Sequence, residues 1–262
     1  MTKPVLNGRH ALVCGASAGI GRASAIALAQ AGARVTVLAR RLSQLQQVVA
    51  ELQDLGAAEP AYRVADLERT EDITGITEAL LRERGQVHIL VNNAGGPAAG
   101  PILAAQPAEF DGAFRRHVLA SHLLTQAVVP GMAAAGYGRI INIISISVRE
   151  PLPNLGVSNT IRGAMASWAK SVARELPPGV TINNVLPGYT DTERLRSLLA
   201  TLASKGATTP EWVERQWLAG VPEGRLASPD EIAAAVVFLA SPAAGYVRGV
   251  SLPVDGGRLG AL

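Results

Sequence analysis

Three glycines, Gly15, Gly19 and Gly21, fall in the run Gly15-Ala-Ser-Ala-Gly19-Ile-Gly21, directly after the apolar stretch Ala11-Leu-Val-Cys14. Between a strand and a helix, this spacing leaves backbone N–H groups at the helix start free to meet an anion. Gly15 permits the tight turn, Gly19 lets the backbone approach a pyrophosphate, and Gly21 lets the helix lie close to the strand. With Ser17, Ala18 and Ile20 between them, they predict a dinucleotide site. The next strand ends Leu38-Ala39-Arg40-Arg41, with no carboxylate to hold the two ribose hydroxyls of NAD. Guanidinium groups bind phosphate through paired hydrogen bonds, so NADP is expected over NAD, with Arg40 as first choice and Arg41 second. The alternative is two solvated arginines at a helix start, where their charge is mildly unfavourable. Asp66 and Leu67, after the third strand, are placed either to reach the adenine or to cap the next helix.

These residues need a scaffold, and the apolar pattern supplies one. Short β-branched runs at 10–13, 34–39, 61–64, 88–91, 139–145, 181–185 and about 250–254 read as buried parallel strands. Helical periodicity fills 19–31, 43–55, 70–84, 109–135, 156–176 and 230–240, and Ser228-Pro-Asp-Glu231 has the form of a capping box for the last helix. The expectation is an α/β fold, a single-domain, Rossmann-type doubly wound parallel sheet of about seven strands spanning 1–262. Residues 190–225 break the rhythm, with a helical stretch at 192–203 and a Trp-bearing one at 210–219. Such a segment is expected to cover a substrate.

Composition narrows the class. The chain has 262 residues, 48% of them apolar and 17% charged, which fits one compact domain rather than a disordered chain. Its 24 basic and 21 acidic residues leave +3, too little to argue for nucleic acid. Lysine occurs only at 3, 170 and 205, so the basic set is almost all arginine. Cys14, the one cysteine, rules out an intramolecular disulfide and a cysteine metal site, and its apolar setting marks it as a small buried hydrophobe. No metal site is expected. The N-terminal residues lack a signal-peptide core and no segment runs 18 residues without a polar interruption, so a cytoplasmic protein with no membrane partner is expected.

Further motifs join the glycine run: Asn92-Asn93-Ala94-Gly95, Asn142-Ile-Ile-Ser145, Pro187-Gly188-Tyr189-Thr190-Asp191-Thr192, Arg225 and Val254-Asp255-Gly256-Gly257. Over its whole length the chain resembles the short-chain dehydrogenase/reductase family, and especially its 3-oxoacyl-carrier-protein reductase-like members. The resemblance implies that Asn93, Ala94 and Gly95 sit beside the cofactor and that Pro187, Gly188, Thr190 and Thr192 hold its nicotinamide end. It also implies that Ser145 is the catalytic serine. The family's tetrad is Asn, Ser, Tyr and Lys, with Tyr 13 residues after Ser and Lys four after Tyr. Here those positions hold Ser158 and Arg162, and the asparagine position holds His117.

The replacements alter the chemistry. A phenol beside a lysine cation exchanges a proton near neutral pH, whereas a serine hydroxyl is far less acidic and too short to reach as far. Arg162 would still bond cofactor ribose hydroxyls, yet guanidinium does not relay protons. His117 has two readings: an acid or base acting through water, or a helix histidine satisfying a carbonyl. Tyr189 is either a substitute phenol or a side chain packed over the cofactor. Glu150 is expected to pair with Arg149 or Arg162, and His122 to make an interhelical contact.

The helices at 109–135 and 156–176 present Val118, Ala120, Leu124, Val128, Ala164, Ala166, Trp168 and Val172. The resemblance implies pairing across a twofold axis, hence a homo-oligomer, tetramer or dimer. The functional expectation is an NADP(H)-dependent oxidoreductase acting on a carbonyl/alcohol pair of a small-molecule substrate through an atypical site. The alternative is a nucleotide-binding protein of the same fold with lost or non-redox catalysis.

Overall fold

The strands of the sheet lie side by side in the order β3-β2-β1-β4-β5-β6-β7, all parallel, in a computed structural model that describes residues 4–260. They are β1 (His10–Cys14), β2 (Arg34–Ala39), β3 (Ala61–Val64), β4 (Ile89–Asn92), β5 (Gly138–Ile143), β6 (Val180–Pro187) and β7 (Ser251–Val254). Around the sheet run α1 (Gly19–Gln30), α2 (Leu42–Asp54), α3 (Thr70–Arg84), α4 (Pro107–Phe114), α5 (Ala120–Ala134), α6 (Gly156–Glu175), α7 (Glu193–Lys205), α8 (Pro210–Leu218) and α9 (Pro229–Ala240). The expected doubly wound α/β sheet of seven strands is present. Its chain order reverses between β1 and β4, where ligands of such sheets bind, beyond the carboxyl ends of the strands.

Alternation along each strand divides the core in two. Ala11 and Val13 of β1 join Val35, Val37, Val91 and Ile141 against α1 and α9, through Leu28, Ile232 and Val236. Leu12 and Cys14 face the other way, with Leu38, Leu90 and Ile140, against Leu80, Leu124 and Val128. Cys14 is fully buried, and desolvation pushes its thiol up to about 12, so it stays protonated.

Several boundaries move for local reasons. β5 stops at Ile143 because the chain turns at Ser145 into a short 3-10 segment. The expected helix at 109–135 is three pieces, α4, a π-helical stretch over Arg115–Leu119, and α5. α9 opens as its sequence predicts: Ser228 N–H donates to Glu231 Oε2 at 2.8 Å, Glu231 N–H donates to Ser228 Oγ at 3.3 Å, and Arg225 grips the same carboxylate.

Four residues expected at a subunit interface are instead buried inside this chain: Ala120, Leu124 and Val128 because α5 turns that face onto the sheet, and Val118, in the π-helical stretch, because it packs with Ile146, Ile161 and Met165. Their α6 counterparts Ala164, Ala166, Trp168 and Val172 are half-buried. No helix among the described residues is long and apolar enough to cross a membrane.

Candidate active site

A cleft of ≈ 450 Å³ opens along the carboxyl edge of the sheet, lined at one end by the glycine corner and at the other by Ser145, Ser158 and Arg162. The corner is built by close backbone approach. Gly15 and Gly19 have φ of 58° and 53°, conformations that favour glycine. A Cβ on Gly15 would stand 2.6 Å from the Asn93 carbonyl oxygen, and one on Gly21 would strike the Gly15 carbonyl. Asn93 Nδ2 fastens this turn, donating to the carbonyls of Cys14 at 3.3 Å and Gly15 at 3.2 Å.

Gly21 therefore shapes the turn from behind and does not line the cleft, whereas Gly15, Ser17, Ala18, Gly19 and Ile20 do. A Cβ on Gly19 would lie 3.2 Å from Thr192 Cγ2, so its absence keeps this part of the cleft open. Ala18 gives α1 no side-chain cap, and no acidic residue sits in its first turn. The first N–H groups of α1 are thus left for an anion, which fits the pyrophosphate of a dinucleotide.

Arg40 and Arg41 line the same end with Asp66 and Leu67. Arg40 Nη1 lies 3.7 Å from Asp66 Oδ2, a loose pair with the arginine two-thirds exposed. Asp66 does not cap α3, whose N-cap residue is Arg69; its Oδ1 instead accepts the Glu68 N–H at 3.1 Å. Across the cleft stand Asn93, Ala94, Gly95, Pro187, Gly188, Thr190 and Thr192. Thr192 also caps α7, its Oγ1 accepting the Leu195 N–H at 3.2 Å.

At the other end, Ser145 Oγ accepts the Ser147 N–H at 3.0 Å, which leaves its own O–H free to donate. Ser158 and Arg162 lie one helical turn apart on α6 and both line the cleft. Arg162 is 8% exposed; its Nη1 donates to the Ile143 carbonyl at 2.8 Å and its Nη2 to the Ala94 carbonyl at 3.5 Å. Among the described residues it has no carboxylate partner. Burial, and then the charge of Arg194, lower its pKa to about 10, so it remains a cation at neutral pH.

Two expected residues are not brought to this cleft. His117 lies in the π-helical stretch, 4% exposed, beside a separate cavity of ≈ 10 Å³ that Asn92, Ser121 and Arg162 also line. Desolvation, then the charges of Arg162 and Arg116, hold its pKa well below the usual histidine value, so the ring is neutral at pH 7. Neither His117 Nε2 nor Asn92 Oδ1 has a hydrogen-bond partner among the described residues. Tyr189 turns away because its ring stacks on Trp217, centroids 4.6 Å apart and planes 9° apart, with the Arg258 guanidinium 5.6 Å from its centroid. Glu150 pairs with Arg258 at 3.1 Å rather than with Arg149 or Arg162, and His122 makes its interhelical contact edge-on to Trp168.

The structure adds residues that the sequence left unremarked. Arg194, second residue of α7, lines the cleft and hydrogen-bonds to the Pro97 carbonyl. Beneath the cleft floor runs a relay across four strands: Asn92 Nδ2 donates to Asn142 Oδ1 at 2.9 Å, Asn142 Nδ2 to Asn184 Oδ1 at 2.9 Å, and Asn184 Nδ2 to Ser251 Oγ at 3.1 Å. Its only signal in sequence is an asparagine near the end of three strands.

The sequence family described as enoyl-(acyl carrier protein) reductase matches residues 15–258. A 3-oxoacyl-(acyl-carrier-protein) reductase of Vibrio cholerae serotype O1 is 36% identical over 255 residues, covering 96% of this chain and 98% of that protein. The L-sorbose reductase from Gluconobacter frateurii, solved with NADPH and L-sorbose, has a TM-score of 0.93 at 28% identity, covering 100% of both chains. A gluconate 5-dehydrogenase from Burkholderia cenocepacia J2315, solved with NADP and tartrate, has a TM-score of 0.87 at 30% identity, covering 99% of this chain and 98% of that one.

Proposed function

The chain belongs to the short-chain dehydrogenase/reductase family, and on that premise we propose that it is an NADP(H)-dependent oxidoreductase interconverting a carbonyl and an alcohol at Ser145, Ser158 and Arg162. The single observation that carries this is the continuous cleft, with an uncapped helix start and two arginines at one end and two hydroxyls with a buried guanidinium at the other. Arg40 and Arg41 would hold the 2′-phosphate, the N–H groups of α1 the pyrophosphate, and Thr190, Thr192 and Gly188 the nicotinamide end. When bound, the nicotinamide supplies or accepts the hydride.

The chain's own work is on the oxygen. Ser158 and Arg162 stand in the positions of the family's tyrosine and lysine. Ser145 donates its O–H to the substrate oxygen, Ser158 offers a second hydroxyl, and Arg162 stabilises the negative charge that grows there in the reductive direction. Neither serine nor a guanidinium with a pKa of about 10 is acidic near pH 7, so the proton comes from water. This makes proton delivery the weak step, and turnover slow. The helices α7 and α8, packed on each other through Leu199, Ala203 and Val213, cover the substrate, with Leu195 and Leu198 facing it.

Nucleotide fluorescence titration tests the first half: NADPH binds more tightly than NADH, and Arg40→Ala narrows the difference by about 1–3 kcal/mol, the loss of a charge-assisted contact. NADPH consumption over a panel of ketones tests the second, with Ser145→Ala abolishing turnover while binding persists. Equal affinity for both nucleotides, or brisk turnover indifferent to Ser145→Ala, overturns the reading. NADPH binding with no turnover of any carbonyl selects instead a nucleotide-binding protein of this fold, the reading favoured by the absence of an acidic group beside Ser145.

A further inference from the structure

Residues 192–226 leave and rejoin the body at one point. The Asp191 N–H donates to the Ala227 carbonyl at 2.8 Å, and the Ala227 N–H to the Tyr189 carbonyl at 2.9 Å. Beyond that base, α7 and α8 pack on a small core of their own, Leu199, Ala203 and Val213, separate from the clusters on the sheet. Contacts outside the base therefore hold this cover down. At the α7 end Arg194 bonds the Pro97 carbonyl. At the α8 end Trp217, packed on the small core, lays its ring on Tyr189, centroids 4.6 Å apart.

The Tyr189 ring is the middle of a longer run of contacts. The Arg258 guanidinium stands 5.6 Å from its centroid, within the range of a cation–π attraction. Arg258 Nη1 in turn pairs with Glu150 Oε2 at 3.1 Å. Glu150 closes the turn that begins at Ser145, its N–H donating to the Ile146 carbonyl at 3.2 Å. The turn's neighbouring tie, Arg149 Nη2 on the Ser251 carbonyl at 3.3 Å, leads to β7 and not to α8. Arg258 has a fixed base, because Asp255 accepts the Gly257 N–H at 3.1 Å and the Leu259 N–H at 2.9 Å. The Gly256 carbonyl also accepts the Glu223 N–H at 3.2 Å, which ties this C-terminal turn to the chain leaving α8. None of Glu150, Tyr189, Trp217 and Arg258 lines the cleft, so a dinucleotide bound there accounts for none of these contacts.

We propose that Arg258 is a positioning residue: through Glu150 and Tyr189 it clasps the turn of Ser145 to the cover, so that closing the cover and setting the serine hydroxyl are one event. This inference rests on the preceding reading that α7 and α8 cover the substrate, and adds how closure reaches the reacting end. Ser145 Oγ accepts the Ser147 N–H, so a shift of the turn re-aims the O–H that meets the substrate oxygen. Without Arg258 the turn loses its link to α8, and the cover is freer to swing on its base at Asp191 and Ala227.

Hydrogen–deuterium exchange of the full chain, free of nucleotide, reads both ends of the clasp. Glu150 has its ion pair with Arg258 and none with α8, yet Glu150→Gln is expected to speed exchange in α8 by about threefold or more. Trp217→Leu is expected to speed exchange over 145–150 by a similar factor, although Trp217 lies on the cover. Arg258→Gln should loosen both segments, and Arg258→Lys, which keeps a cation beside Glu150 and Tyr189, should restore both. Exchange in β1 and α1 should stay as in wild type in every variant. Where a ketone is turned over, Arg258→Gln should raise KM and lower kcat together, as expected when closure is disturbed, and Arg258→Lys should restore both.

A Glu150→Gln protein whose α8 exchanges like wild type overturns the proposal, and so does a Trp217→Leu protein loosened in α8 alone. A rise spread evenly over β1 and α1 overturns it too, since that marks a general loss of stability, as does an Arg258→Lys variant no closer to wild type than Arg258→Gln. Circular dichroism melting checks folding; should Arg258→Gln not fold, Glu150→Gln decides, at a side chain that is half exposed. Failure of NADPH to bind, or absence of turnover, counts against the preceding reading, and exchange in the free protein still decides this one.

Discussion

Each end of the parallel sheet buries an arginine that has carbonyls for partners and no carboxylate. At the amino end, Arg139 of β5 donates through Nη1 to the Gly138 and Gly179 carbonyls, each at 2.9 Å, and through Nε to the Ser241 carbonyl at 3.3 Å. Its guanidinium lies 4.3 Å from the centroid of the Tyr137 ring, whose hydroxyl bonds the Ala240 carbonyl, with Arg9 at 3.8 Å from the same ring. At the carboxyl end, Arg162 has two carbonyls, one of them at 3.5 Å, and borders the cleft. The first arginine ties β5 to the loops before β6 and after α9, so its charge is wrapped by the fold. The second is wrapped on one side only. Residue type and burial are the same, and the difference lies in the donors that remain free to meet a ligand.

The largest expected effect tests the cleft end. Ser158→Tyr/Arg162→Lys restores a phenol with a lysine beside it, and proton transfer by a positioned acid is worth about 10²–10⁴-fold. NADPH consumption with carbonyl substrates should rise by that order over wild type, at unchanged NADPH affinity. A double variant that binds NADPH and is no faster than wild type would show that something other than proton delivery limits the rate.

The next effect sets the two arginines against each other. Arg139→Met removes three charge-assisted bonds that tie β5 to the loops before β6 and after α9, although the Gly179 and Ser241 carbonyls keep the Gly138 and Ala244 N–H groups, and should cost about 2–4 kcal/mol in urea unfolding. Arg162→Met removes a buried charge that lacks a counter-ion, and should change stability by about 1 kcal/mol or less in either direction. If the two variants prove equally destabilised, Arg162 is a structural tie like Arg139 and its place at the cleft carries no chemistry.

What was legible in the sequence follows the range of the interactions. The strands, the glycine corner and the Ser228–Glu231 box depend on residues a few positions apart, so spacing alone reveals them. The Asn92–Asn142–Asn184–Ser251 relay depends on strand register, with Asn92 opposite Asn142, Asn142 opposite Asn184 and Asn184 opposite Ser251. No single segment contains that information. Of the two readings of His117, the helix histidine bonded to a backbone carbonyl, that of Gly95, fits the structure; the π-helical stretch that carries it widens one turn of an otherwise regular pattern, and hydrophobic period gives no sign of it. Arg194 was missed because its position depends on how residues 190–205 fold back over Pro97. Tyr189 has its hydroxyl in the right segment of sequence, but the pull of the Trp217 face outweighs what lies near in chain order.

The smallest effect compares the two ends through histidines. His10 lies at the amino end, with Nε2 2.9 Å from Thr36 Oγ1 and its backbone N–H donating to His88 Nδ1 at 3.1 Å, and burial followed by the charge of Arg34 lowers its pKa to about 4. His117, behind the cleft, is lowered in the same direction by the same leading cause. Both rings are neutral when folded and take up a proton more readily when unfolded, at about 6.5. The unfolded chain therefore binds more protons as pH falls, so stability is complete above about pH 6.5 and declines below it, for His10 until about pH 4. Between pH 7.5 and 5.5 His10 should contribute a loss of about 1 kcal/mol, and His117 a loss of the same sign. Urea midpoints at the two pH values, for wild type, His10→Gln and His117→Asn, measure the shares separately. Reduced pH sensitivity is expected for both variants. A His117→Asn variant as acid-sensitive as wild type would mean that this ring reaches protons in the folded state, and would bring it back as a partner to the cleft.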